Sequence, residues 1–319
     1  MRKLFVLSAL LIFFTITCLS QNRTVITDKE DQTADQSAIL DVISTDRGFL
    51  LPRIDGNDKV NDPAESLLIY NKETHCVETF LDGGWHEIWC AEIEPHDCGT
   101  PFSYDGYDYA TVEIGDQCWF AENSKYLPSV SGASSGSKTD PIYYVWGYNG
   151  TDVEEAKLHT EGGTNMYDTY GVLYNWPAAM TACPFGWRLP TDDDWKELEL
   201  FYGMCPGTGD DPKCVEDTDY RGTNQAAMIA GSDLWWGGDL TDDPEFDENS
   251  DFNGLPAGTR QTDNQFTQIG MITQWWSSTE HDTDIDRAWY RYFIWLYPTI
   301  ARNTFNRDAG FSVRCIEGL

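Results

Sequence analysis

The sequence predicts an exported, disulfide-stapled α+β protein: a small, mostly-β N-terminal module followed by a larger domain. Three observations carry this. The chain opens with an export signal, it holds eight cysteines beyond that signal, and its interior reads as many short strands around few helices.

The export signal comes first. Arg2 and Lys3 precede an almost wholly apolar run, Leu4–Ile16, and then Thr17, Cys18 and Ser20 lead into polar chain at Gln21. A basic start, an apolar middle and small residues at the end make a secretory signal peptide. The run is shorter than the roughly 20 residues that span a bilayer. No later run approaches that length, so the mature chain is expected to hold no transmembrane helix. Residues 1–20 are expected to leave by cleavage after Ser20. Lipidation at Cys18 is the competing route, although Thr15-Ile16-Thr17 departs from the usual leucine-then-small box. Either way the protein is expected to be secreted or held at the outer cell surface. The chain stops at Leu319, so no C-terminal sorting module is expected.

The cysteines agree with export. Cys76, Cys90, Cys98, Cys118, Cys183, Cys205, Cys214 and Cys315 form an even set, which in an exported chain reads as disulfides. Eight cysteines allow about 105 pairings, so sequence alone does not choose. Proximity suggests Cys76–Cys90, Cys98–Cys118 and Cys205–Cys214, leaving Cys183–Cys315. No C-x2-C pair points to zinc.

The formal net charge is −32. Such a surface repels nucleic acid and anionic lipid, which excludes both as expected partners. Aromatic residues are 14% of the chain, with 13 Trp, enough for a substantial core.

Residues 21–94 are expected to form the small β-rich module. Asp28–Ala38 is polar. Ala38–Val42, Gly48–Arg53 and Ser66–Asn71 look like short strands. Val77–Leu81 and Trp85–Trp89 flank Asp82-Gly83-Gly84, a hairpin signal bracketed by Cys76 and Cys90. Ser37–Arg53 and Leu67–Trp85 resemble a leader found on Bacteroidota surface proteins. That resemblance implies a stalk or assembly role, with homotrimerisation as the oligomer it suggests.

Glu92–Asp97 reads as a polar linker, and the larger domain as residues 98–319. Tyr109–Ile114 alternates like a strand, Asp116-Gln117 turns, and Cys118-Trp119-Phe120 follows. Ser129–Thr139 reads as a loop. The clearest helix follows Pro190. Thr191 is its N-cap, Asp194 supplies the capping-box acid, Asp192 and Asp193 suit its positive start, and Gly203 ends it. Trp289–Ile294 and Phe311–Ile316 read as strands.

Six phrases run through this domain in order: Val112–Asn123, Tyr170–Trp176, Cys183–Thr191, Leu255–Gly258, Trp275–Glu280 and Gly310–Cys315. Together they resemble the Fibrobacter succinogenes major paralogous domain, over roughly Cys98–Glu317. That family looks like a branch of the C-type-lectin-like superfamily, and Arg188–Thr191 with Trp195 is similar to the helix start of formylglycine-generating enzymes. The resemblance implies a compact lectin-like fold in which a disulfide ties the first helix to the last strand, where Cys183 and Cys315 sit. The calcium-lectin signature, Glu-Pro-Asn followed later by Trp-Asn-Asp, is absent, which argues against calcium-dependent monosaccharide binding.

Fold does not give function. No phosphate loop, Gly-x-Ser-x-Gly or His-Glu-x-x-His occurs, and only His159 and His281 fall in the larger domain. No enzyme is expected. The metal candidate is the acidic loop Asp239–Asp251, with seven acids and no base. Asp247, Asn249 and Asp251 there have the alternate oxygen ligands of a calcium loop, although Phe252 stands where an EF-hand needs Gly. The ligand candidates are Tyr290, Tyr292, Trp295, Tyr297, Asn303, Phe305 and Arg307, whose flat rings and hydrogen-bonding groups suit sugar or protein surfaces. The expected function is recognition of an extracellular glycan or protein. The alternative is a structural surface or matrix protein with no specific small ligand.

Overall fold

The computed structural model describes residues 24–27, 40–43, 50–72, 74–90, 95–205 and 213–318. The export signal with Cys18, all of Asp28–Ala38, Gly48 and Phe49, and residues 92–94 of the linker lie outside the described residues. The chain divides into two compact units, residues 1–91 and 92–319.

In the first unit, Thr24–Thr27 (β1) pairs in parallel with Leu40–Ile43 (β2). A four-stranded sheet follows, from Arg53–Ile54 (β3), Leu68–Asn71 (β4), Cys76–Leu81 (β5) and Gly84–Cys90 (β6), in that order. The β5–β6 hairpin turns at Asp82 and Gly83, both at positive φ (52° and 74°), the conformation a two-residue turn between twisted strands requires. Cys76 and Cys90 are register partners and are disulfide-bonded, Cα to Cα 3.9 Å. The buried Glu78 carboxylate accepts from Asn57 Nδ2, Asn71 Nδ2 and Thr74 Oγ1, each at 2.9 Å, and so gathers the segments around β5.

The second unit is α+β, with two four-stranded sheets. The strands of those two sheets are Thr111–Ile114 (β7), Gln117–Phe120 (β8), Trp187–Arg188 (β9), Asp219–Arg221 (β10), Ile272–Glu280 (β11), Arg287–Ile294 (β12), Ile300–Asn306 (β13) and Ile316–Glu317 (β14). One sheet runs β9-β14-β8-β7 and the other β10-β13-β12-β11, with every described pairing antiparallel. The helix Asp192–Phe201 (α1) has the full capping box. Thr191 Oγ1 accepts from Asp194 N, Asp194 Oδ2 accepts from Thr191 N, and Gly203 at φ 78° follows the last turn.

Disulfides join Cys98–Cys118, Cys183–Cys315 and Cys205–Cys214, so three of the four bonds match the pairs that proximity in the chain suggests and the fourth joins the two cysteines left over. One aromatic core gathers Tyr109, Phe120, Tyr174, Trp187, Trp276 and Phe311. A second gathers Trp119, Trp195, Phe252, Trp275 and Phe293.

Three strand expectations are corrected. Tyr109–Ile114 is not one strand. Tyr107–Tyr109 closes a short hairpin with Phe102–Tyr104, and Thr111 begins β7. The turn after β7 is Gly115–Asp116, with Gly115 at φ 62°, so Gln117 is already in β8. Phe311–Cys315 forms no continuous ladder. Its backbone groups bond in turn to Tyr174, Gln274, Ser124 and Phe120, so the segment threads between elements and only Ile316–Glu317 pairs as a strand.

Candidate functional site

The stretch from Tyr290 to Arg307 spans β12, a turn and β13, and strand alternation sends its side chains to opposite faces. One face meets α1. Arg291 is buried and donates from Nη1 to Asp192 Oδ1 and from Nε to Glu199 Oε1, each at 2.6 Å. Arg302 Nη2 reaches Asp192 Oδ2 at 2.7 Å, and Arg221 Nη2 reaches Glu199 Oε1 at 2.6 Å. The Arg302 guanidinium also lies 3.6 Å from the Trp289 ring centroid. Burial works to raise the Asp192 pKa. Hydrogen bonds from Arg302 and the charge of Arg291 outweigh it and hold the carboxyl well below the usual carboxylate range. These ion pairs fasten the helix to the sheet.

The other face is aromatic. Tyr290 stacks on Tyr292, centroids 5.3 Å apart, and meets Trp276 edge-on. Ala301 sits opposite both Tyr292 on β12 and Tyr220 on β10. Its methyl group is small, and the two tyrosine rings meet across it at 5.5 Å. Tyr297 adds a third ring, 4.8 Å from Tyr220. Tyr297 is 45% exposed and Tyr220 39% exposed. Asn303, half-buried on this face, donates to Asp219 Oδ1 at 2.9 Å. Burial pushes the Tyr220 phenol well above its ordinary value, so the hydroxyl stays protonated at neutral pH and can donate as well as accept.

The seven candidate ligand residues therefore do not share one surface. Tyr292, Tyr297 and Asn303 do, with Tyr290 buried beneath them. Phe305 lies on the same side of β13 as Asn303 but packs against Tyr290 and Phe311 at 5.9 and 5.5 Å. Arg307 stacks 4.1 Å over Trp176 and pairs with Glu280 at 3.1 Å. Trp295 turns away to Trp236, 6.3 Å off, and to Gly238, where a Cβ would lie 2.5 Å from its ring. Sequence reading misses Tyr220. Its place on the face comes from β10 pairing with β13, and no local pattern records that.

In the acidic loop, Asp247 Oδ1 accepts from Asn249 N at 3.0 Å, an Asx turn that orders the backbone. Among the described residues, one group of three His, Cys, Asp or Glu ligand atoms lies within 4.8 Å of one another: Cys76, Glu87 and Cys90. Asp247 and Asp251 are not in it, and Cys76 and Cys90 are bonded to each other. His281 Nδ1 accepts from Thr283 N and Asp284 N and its ring lies parallel to Trp289, while His159 Nε2 sits 3.3 Å from Glu161 Oε1. No helix among the described residues is long and apolar enough to cross a membrane.

Compared with known families, residues 112–317 match the model described as the Fibrobacter succinogenes major domain, and residues 28–94 match a phage tail like trimerisation region. Neither the curated proteins nor the solved structures yield a match to the chain.

Proposed function

The chain belongs to the Fibrobacter succinogenes major domain family, and from that premise we propose that it is an exported, non-enzymatic recognition protein that binds an extracellular glycan or protein ligand through a lectin-like larger domain. The observation that carries this reading is the tyrosine face of Tyr220, Tyr292 and Tyr297 with Asn303. Tyrosine offers a large contact area with two side-chain torsions to freeze and a hydroxyl at the tip, and such surfaces suit binding without catalysis. The disulfides are consistent with an oxidising compartment. The small unit serves as a stalk, and three chains assemble through it, in keeping with its match to a trimerisation region.

The test is binding of the purified full chain to a panel of extracellular glycans and surface proteins, with calcium and with chelator. A ligand that wild type retains and that Tyr297→Ala and Tyr220→Ala lose, with unchanged circular dichroism, supports recognition. A panel without any binder would favour the structural alternative. Chelator sensitivity would assign a role to Asp247, Asn249 and Asp251.

A further inference from the structure

Two adjoining clefts on the larger domain use none of the tyrosine-face residues. One, of about 340 Å³, is lined by Trp146, Glu161, Thr164, Met166, Trp236 and Ile269 among others. The second, of about 320 Å³, is lined by Trp146, Asn149, Glu161, Asn264, Gln265 and Phe266 among others. Trp146 and Glu161 belong to both, so the clefts form one trough with an indole at its middle.

Both tryptophans are seated on glycine. Gly258 stands at φ 65°, and a Cβ there would lie 2.7 Å from Trp146 Nε1, which instead donates to Thr267 O at 3.2 Å. Gly270 stands at φ 78°, and a Cβ there would lie 2.7 Å from Trp236 Nε1. Trp236 is 54% exposed and is backed edge-on by Trp295. A ring placed before the ligand arrives loses little entropy on binding.

The polar lining is also held in place. Asn149 Oδ1 accepts from Ala133 N at 3.0 Å, Asn264 Oδ1 accepts from Arg260 Nη2 at 2.7 Å, and Glu161 rests against His159. In a chain of net charge −32, the trough has a single ionic side chain, Glu161, and no Lys or Arg. With a carboxylate and no Lys or Arg, that lining disfavours anionic ligands. It favours a neutral molecule with flat C–H faces for the electron-rich indoles and hydroxyls for the amides.

We infer that this trough binds a neutral oligosaccharide of at least two sugar units, one ring on Trp146 and another on Trp236. The inference rests on reading the larger domain as a recognition module, but not on the tyrosine face.

The experiment titrates the full chain with cellohexaose, xylohexaose, mannohexaose, laminarihexaose and maltohexaose, by calorimetry and by tryptophan fluorescence. At least one should bind and shift the emission. Affinity should fall about tenfold or more in Trp236→Ala, as for loss of an aromatic anchor, and should fall in Glu161→Gln, which leaves the packing unchanged. Tyr297→Ala should bind the same sugar as wild type does. The inference is overturned if no hexasaccharide binds, if binding persists undiminished in Trp236→Ala, or if Tyr297→Ala abolishes it. Failure of Tyr297→Ala to bind a separate macromolecular ligand, with the hexasaccharide still bound, would concern the tyrosine face alone.

Discussion

Asn123 and Arg314, 191 residues apart in the chain, meet in the interior: Arg314 Nη2 donates to Asn123 Oδ1 at 3.1 Å. The same oxygen accepts from Trp275 Nε1 at 2.8 Å. Three of the six family phrases thus converge on one amide. Arg314 is fully buried, and its described hydrogen bonds go to Asn123 and to the carbonyls of Phe120, Phe252 and Asn253, with no carboxylate among them. Its guanidinium lies 4.4 Å from the Phe252 ring. Burial pushes its pKa down to about 9. Three of the phrases that identify the family therefore describe how the domain holds together.

Removing that amide should be costly. Asn123→Ala strands a buried indole N–H and part of a buried guanidinium. The expected loss is about 2–4 kcal/mol of unfolding free energy in urea titration. Asn123→Asp tests the cage differently. It supplies a countercharge to Arg314 and keeps the oxygen that accepts from Arg314 and Trp275, but it loses the Nδ2 donation to Tyr170 O at 2.9 Å, so it should recover only part of the alanine loss. A variant Asn123→Ala as stable as wild type would show that the convergence contributes nothing.

The disulfides differ in expected worth. Cys183–Cys315 spans 132 residues and Cys205–Cys214 spans 9. In the chain-entropy account these loops correspond to about 5 and about 2.5 kcal/mol. Thermal melts of the two paired Cys→Ala variants should therefore rank the Cys183/Cys315 variant as the less stable. Equal melting temperatures would contradict the ranking.

Asp192→Asn should lose about 3–5 kcal/mol, because Arg291 and Arg302 would keep their burial and lose their partner. The pH dependence has a definite sign. The folded carboxyl titrates below its unfolded value of 3.8, so its stabilisation is present above that value and is lost as pH falls further. Wild type should lose stability steeply below about pH 4, and Asp192→Asn should show a shallower acid limb. Parallel acid limbs in the two proteins would be the contrary result.

Much of this was legible in the sequence, and what was not has a physical cause. The α1 cap, the β5–β6 hairpin and the disulfide pairs are local or enforced by count, so the residues announce them. Asp192 reads locally as a helix-start acid, yet its partners lie 99 and 110 residues away. Tyr220 joins the tyrosine face through strand pairing, and loops bring Trp146 and Trp236 to line one cleft. Phe305 and Arg307 look exposed because they sit in a polar stretch, and only tertiary contacts, Phe305 with Phe311 and Arg307 with Trp176, draw them in. Long-range placement decides which aromatic residues face solvent, and composition does not carry it.

Alkali should unfold the larger domain through its tyrosines. Burial pushes Tyr144 and Tyr167 up to about 12 and Tyr174 well above its ordinary value of 10.0. Groups raised this way stabilise fully below pH 10 and lose that contribution as pH climbs toward their folded values. Arg314 works the other way, since its folded pKa is depressed and its cost of burial fades above about 9. One guanidinium opposes several phenols, so stability should fall above pH 10. Tyrosinate absorbance should rise together with loss of ellipticity. Ionisation of most tyrosines in a still-folded protein would show that the rings are more accessible than their burial indicates.

The small unit should hold three chains together. Trp89 is 60% exposed, Ile88 58%, Leu68 40% and Leu81 39%, all within one four-stranded sheet. A register shift between Val77 and Glu78 leaves Ile88 as the extra residue of β6, next to Trp89. Single exposed apolar side chains are ordinary, but four in a unit this small mark a surface that another chain can cover. Sedimentation equilibrium of the full chain should give three times the monomer mass. Ile88→Ser with Trp89→Ser should shift it to monomer while the larger domain keeps its near-ultraviolet dichroism, since its own cores and disulfides do not involve these residues. A full chain that sediments as a monomer at micromolar concentration would remove trimerisation from the account and leave the exposed sheet in search of another cover.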